Sequence, residues 1–502
     1  MLSCGTASSF VLGNEGELWV TGLNHRLQLG LPNPHTHNRI PPLSMEYFEP
    51  VHSKNRTLPP FRSVHSCGST TFAITEDNRL YSWGYNNHGQ LGQGDADDVC
   101  LPGRVQLMYS DILRDLCLLP KIWQVTCGHN HALVLTVTKR IMSCGENTCG
   151  QLGRVDMDFS ASSNRFVQVY PLPGELTTAI RVRSVASGAY VCAMILEDDS
   201  LWLWGNHIYG QVPGAPRPGG GFLPQKSPQK INDVVSDNGH QEYAPDQRPP
   251  FCVESISISA DHCACITTDK RVWTWGMNLY GKLGNGTKNG SSCRPTSIMS
   301  ASQLQIMSSP VQICCGGHHT LIRSTLGSLW AAGAYKFGIG IYGGHESSLC
   351  RFQRVVLPPC AYGDGGGDMR VFGMAAGTSH SAIITSGGHV MTCGKMKAAI
   401  PMTPMSLQGG DTTAHSGFGG LGYFQGLAQQ GHVVTFQKVH QLCGKVSFST
   451  AFSAITLAKV HVVLLGVHFD TVARATTTCD RVFMNALPDE VLDIVMRKIL
   501  LV

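Results

Sequence analysis

A glycine recurs at Gly22, Gly84, Gly145, Gly205, Gly276, Gly333 and Gly394, at intervals of 62, 61, 60, 71, 57 and 61 residues. Self-similarity at one fixed spacing is the mark of a repeat architecture, and it constrains the fold more than any other property of this sequence. Each of these glycines closes an aromatic or β-branched run, as in LYSWG at 80 to 84, LWLWG at 201 to 205 and VWTWG at 272 to 276. Turn-forming segments such as NNHGQLGQG or NLYGKLGNG follow directly. Upstream, at 17 or 18 residues from its glycine, every copy opens on a short head: CGTASSFVL, CGSTTFAIT, CGHNHALVL, SGAYVCAMI, SADHCACIT, CGGHHTLIR and AGTSHSAII.

Head and aromatic run flank a tight turn such as Glu76-Asp77-Asn78-Arg79, which is a hairpin pattern. The remaining residues of each period, about 30, suffice for two further outer strands, and nothing between copies has helical periodicity. Charged residues make up only 14%, against 56 glycines and 26 prolines, as expected for many short elements joined by turns. The predicted class is therefore all-β: a seven-bladed β-propeller over residues 1–445. A segment at 446–502 follows, containing an eroded eighth head at 448–466 and a short helix near the C-terminus. That helix begins near Pro488 and presents Val491, Ile494, Val495 and Ile499 on one face. Its opening resembles the start of an F-box helix, and the stretch before it resembles the first hairpin of a BTB domain. Neither module is complete.

The repeated C-G-x-x-H-T/S-A head followed by W/C-G-x-N-x-x-G-Q-L-G closely resembles the regulator of chromosome condensation (RCC1) repeat from residue 3 to about 440. The resemblance implies a seven-bladed ring. It leaves function open, because such propellers occur in a nuclear exchange factor for the GTPase Ran, in ubiquitin ligases, in photoreceptors and in scaffolds. The first reading is a protein-interaction scaffold without covalent chemistry; the alternative is a guanine nucleotide exchange factor for a Ran-like small GTPase. Residues 127–155 are similar to the third repeat of that exchange factor, including the Gly-Arg-Val ending, and Gly188, Ala189 and Tyr190 are similar to its next head. The resemblance implies an acidic residue important for exchange where this chain has Asn130. It also implies an exposed histidine that matches His318 by local motif and Asp261 by repeat order. These three are the candidate GTPase contacts.

A Pro- and Gly-rich stretch at 213–251 swells the fourth interval and reads as a loop projecting from the ring. Arg217, Lys226, Lys230 and Arg248 are its candidate partner contacts. No cofactor or metal is expected. Cys4, Cys67, Cys127 and Cys315 share one head position and His131, His319 and His380 another, so equivalents in different blades cannot converge on one ion. Neither a phosphate-cradling glycine motif nor a G-x-S-x-G nucleophile is present. The net charge of +4 on 502 residues gives no basis for nucleic-acid or chromatin binding. Lacking a signal-like start or a long apolar run, the sequence suggests a monomeric intracellular protein, cytoplasmic or nuclear, with a protein partner and no membrane attachment.

Overall fold

The computed structural model describes residues 1–31, 44–51, 58–107, 120–169, 181–206, 208–212, 224–232, 251–298, 307–335, 338–341, 348–357, 369–395 and 432–438. All belong to the compact unit Met1–Ala454; the second unit, Ile455–Val502, lies outside the described residues, as do the expected eighth head and terminal helix. Among the described residues, strands form seven four-stranded antiparallel sheets in simple up-and-down order. These are blades 1 to 7, spanning 2–50, 61–104, 122–168, 182–230, 253–297, 310–354 and 371–438.

The first strands touch one another in sequence: Leu2–Cys4, Phe61–Cys67, Ile122–Cys127, Val182–Ser187, Val253–Ile258, Pro310–Cys315 and Val371–Ala376. The last returns to the first, which closes a seven-membered ring. This corrects one expectation about strand placement. Of the two strands flanking each hairpin, only one is outer, such as Val99–Arg104; the other, such as Phe61–Cys67, is innermost and runs into the head.

Among the described residues, seven buried apolar clusters hold the ring, one at each junction between consecutive blades. Both faces of each sheet are thus covered by neighbours, and the second strands, such as Val191–Leu196, are buried along their whole length. Cys263 and Cys265 point to the same side and pack together in the junction between blades 4 and 5. The tryptophans of the aromatic runs serve these junctions with a polar tip as well as an apolar body. The Trp83 indole donates to the Gln28 carbonyl at 2.9 Å, Trp204 to that of Gln151 at 3.0 Å and Trp275 to that of Gln211 at 2.8 Å. Each acceptor belongs to the G-Q-L-G-type turn of the preceding blade. That is why an aromatic strand and a glycine-rich turn recur together: one blade's turn is the next blade's acceptor.

The seven repeat glycines have φ between +101° and +121°. At Gly145 an added Cβ would stand 2.3 Å from the carbonyl oxygen of Asn130, and at Gly333 2.4 Å from that of His318. Only glycine allows the third strand to turn this close beneath the head.

Candidate functional site

Because the second strand starts at the head and the third ends at the repeat glycine, head turns and glycine-rich turns lie at the same end of every blade. Their register is fixed by one recurring backbone bond, from the residue after the glycine to the head carbonyl. Glu146 N–H reaches Asn130 at 2.8 Å, Asn206 reaches Tyr190 at 2.9 Å, Met277 reaches Asp261 at 2.8 Å and Ala334 reaches His318 at 3.0 Å. Asn130, Tyr190, Asp261 and His318 are therefore equivalent positions of blades 3 to 6. Asp261 and His318 are not alternative readings of one place; they occupy the same place in adjacent blades.

At the blade 3/4 junction, Asn130 Nδ2 donates to the Glu146 carboxylate at 2.9 Å, and Thr148 Oγ1 donates to its other oxygen at 2.8 Å. A carboxylate from the end of the neighbouring strand thus stands against residue 130, where the sequence itself has an amide. Glu146 is partly exposed, and the His129 and Tyr190 rings stand 5.9 Å apart beside it. Burial lowers the His129 pKa, with Glu146 acting in the opposite direction. Sequence reasoning missed Glu146 because it searched the head alone. The available signal was the residue just after the repeat glycine, which the backbone bond places beside the head.

At the blade 5/6 junction, Lys282 is fully buried and its ammonium meets Asp261 Oδ2 at 2.5 Å and the Gly317 carbonyl at 3.1 Å. Burial pushes the Asp261 carboxyl up, but the polar and charged groups around it, the Lys282 ammonium among them, outweigh that and hold it well below its ordinary value. Burial draws the Lys282 pKa down, opposed by Asp261. His318 is half-buried, with the Tyr280 ring edge-on at 5.8 Å. Tyr280 has φ +65°, a conformation that costs a bulky residue energy. Leu279 beside it, and Ile208 and Tyr209 in the matching turn of blade 4, are exposed.

The 213–251 stretch is not one loop. Gln225–Lys230 is the outer strand of blade 4, bonded to Leu201–Gly205, so Lys226 and Lys230 lie on a sheet edge. Lys226 Nζ caps the Phe159 ring at 4.4 Å. A β-strand hides well in a Pro- and Gly-rich context, because an edge strand tolerates proline at Pro228 where an inner one would not. Arg217 and Arg248 lie outside the described residues.

The head histidines turn inward. His131 Nε2 lies 3.0 Å from Cys192 Sγ, His262 Nε2 2.9 Å from Thr320 Oγ1, His319 Nε2 2.7 Å from Ser381 Oγ and His380 Nε2 3.0 Å from Ser9 Oγ. Each bond crosses to the next blade, and the last closes the ring. Every described cysteine is free, and burial pushes the Cys67 thiol up to about 11 and that of Cys4 to about 12. Among the described residues no group of His, Cys, Asp and Glu is arranged to hold a metal ion, and no helix is long and apolar enough to cross a membrane.

The sequence profile of the Regulator of chromosome condensation (RCC1) repeat matches residues 77–135 and 269–322, and a second profile of the same description matches 124–151 and 253–282. The chain carries RCC1 repeats and folds as an RCC1-like β-propeller. This RCC1-like propeller is 25% identical to the ultraviolet-B receptor UVR8 of Arabidopsis thaliana over 66% of the chain and 64% of the relative. It is 27% identical to the human E3 ubiquitin-protein ligase HERC2, over 76% of the chain and 7% of the relative. With the X-linked retinitis pigmentosa GTPase regulator homolog of Caenorhabditis elegans it shares 26% identity, over 67% of the chain and 23% of the relative. It thus spans less than two thirds of the length of these relatives. Among solved structures, human WBSCR16 superposes with a TM-score of 0.58 at 19% identity, covering 76% of this chain and 88% of that one. Yeast RCC1 (Prp20) bound to Kap60 superposes with a TM-score of 0.57 at 17% identity, covering 76% and 78%. These two likenesses bear on the fold of the RCC1-like ring.

Proposed function

We propose that this propeller engages a Ran-like small GTPase through its head-turn face and promotes nucleotide release. The observation that carries the reading is the pairing of Asn130 with the Glu146 carboxylate, which returns an acidic group to the place where the resemblance demands one. His318 stands at the equivalent position of blade 6, on the same face. Names among the relatives point the same way: one yeast structure concerns Prp20p and its binding to Gsp1p and histones, and several matched proteins are named GTPase regulators. The Kap60-bound relative agrees with a nuclear place of action.

No bond is made or broken in such a reaction. The face accelerates release to the extent that it binds the nucleotide-free GTPase more tightly than the nucleotide-bound form. Exposed Leu279, Ile208 and Tyr209 supply apolar contact area, while Glu146 and His318 supply the polar groups that distinguish the two states. The test is stopped-flow release of a fluorescent GDP from the Ran-like GTPase of the same organism. Acceleration by several orders of magnitude at saturating propeller supports the reading. An unchanged rate refutes it and returns the chain to the scaffold class, whose support is that an RCC1-repeat ring recurs in relatives as different as a photoreceptor and a ubiquitin ligase.

A further inference from the structure

In the G-Q-L-G turns of blades 1 to 4 the second position is Gln28, Gln90, Gln151 and Gln211; in blade 5 it is Lys282. The change is not needed to tie blades together. Gln211 Nε2 already reaches the Ala260 carbonyl of the next head at 3.0 Å, the same bond that Lys282 makes to Gly317. What lysine adds is a charge, placed against Asp261. A buried ion pair contributes little net stability but fixes geometry strongly, since each charge needs the other in place.

The polar circuit around the pair shows what is fixed. Thr320 Oγ1 donates its single proton to the Lys282 carbonyl at 2.8 Å, so His262 Nε2, 2.9 Å away, must carry a proton and donate to Thr320. Burial keeps His262 neutral, with its pKa lowered to about 4, which leaves Nδ1 bare. It accepts from Ser259 Oγ at 2.6 Å. Asp261 therefore obtains no positive charge from the imidazole, and the Lys282 ammonium is its counter-ion. Through one side chain, Lys282 holds the blade 5 head by Asp261 and the blade 6 head by the Gly317 carbonyl, one residue before His318. Tyr280, two residues before Lys282, is held in its left-handed conformation with its ring against His318.

We propose that Lys282 is a positioning residue of the head-turn face: its bonds to Asp261 and Gly317 set where His318 and Tyr280 stand toward the partner. This rests on the GTPase reading for its kinetic arm only. Lys282→Gln installs the residue of blades 1 to 4, and Asp261→Asn with Lys282→Gln removes both buried charges, so at least one folded variant is available. Two quantities are measured on the full chain: maximal GDP release against half-saturating propeller concentration, and the His318 imidazole resonance with its titration midpoint, by NMR of histidine-labelled protein.

The expected result is a tenfold or greater fall in maximal release, with a smaller change in half-saturation, in either variant. A displaced His318 resonance accompanies it, and in Lys282→Gln alone the His318 midpoint rises because an uncompensated carboxylate now lies nearby. A variant with the wild-type thermal midpoint and an unmoved His318 resonance overturns the proposal. So does a double variant that releases GDP at the wild-type rate, since the charges would then do nothing beyond what glutamine does. If the wild-type chain releases no GDP, the GTPase reading fails alone, and the His318 resonance still decides the role of Lys282.

Discussion

Lowering the pH should open this ring over a narrow interval, because four of its junctions depend on neutral imidazoles. Burial lowers the pKa of His131 to about 3, and those of His262 and His380 to about 4. His319 is also held well below its ordinary value by burial, with neighbouring His318 next in effect. The unfolded chain binds these protons near the ordinary histidine value of 6.5, whereas the folded ring refuses them until far lower. Their contribution is therefore complete above pH 6.5 and is lost as the pH falls from there toward the folded values. Between pH 7.5 and 5.5 each group costs about 1.4 kcal/mol, so the four together remove roughly 5 kcal/mol. That is comparable to the whole stability of many domains. Urea unfolding followed by tryptophan fluorescence at several pH values measures this as proton uptake on unfolding, about 3.5 protons near pH 5.5 from these four and about one more from His65, whose pKa burial likewise lowers to about 4. His380→Gln keeps an amide able to bond Ser9 but cannot titrate, so it should reduce the uptake by about one. Uptake of one proton or fewer in the wild type, or no reduction in the variant, would refute the reasoning.

Other expectations follow from single contacts. Gly145→Ala places a Cβ against the Asn130 carbonyl at φ +102° and should cost about 3 kcal/mol, read as a lower urea midpoint at unchanged slope. Trp204→Phe removes the indole donor to Gln151 and should cost about 1–2 kcal/mol while far-ultraviolet circular dichroism stays that of the wild type. Glu146→Gln keeps the acceptor for Asn130 but removes the charge; if the carboxylate acts in nucleotide release, the maximal rate falls at least tenfold with the thermal midpoint unchanged. His318→Ala should lower the same rate by a similar factor, and a wild-type rate would remove that residue from the partner surface.

The ring was legible in the sequence because its cause is local and repeated. Each glycine must take a positive φ beneath a head carbonyl, so the spacing of seven glycines reports seven blades directly. Strand order within a blade was less legible: a strand running into the head and one following the turn look alike by composition, and only packing shows that Phe61–Cys67 is inner and Val99–Arg104 outer. Gln225–Lys230 escaped notice because proline and charge are tolerated on an outer edge. The candidate site was half visible. Asn130, Asp261 and His318 do share one face, but Glu146 reaches it from another strand, and Asp261 is engaged by a lysine that sequence spacing places 21 residues away.

The seven junction cores also dictate what a ribosome must tolerate. No described strand is shared between blades 1 and 7, so each blade can pair its strands as soon as its own residues emerge. A flank gains its apolar cover only when the neighbour arrives. For the side of blade 1 that carries Leu2, Val11 and Phe48, that neighbour is blade 7, with Ala375, Ala382, Ile384 and Val390. At about 5–20 residues per second, the growing chain exposes this flank for roughly 17–70 s after blade 1 is complete. The first blade made is the last one sealed, and its open side is where a chaperone would have to stand guard.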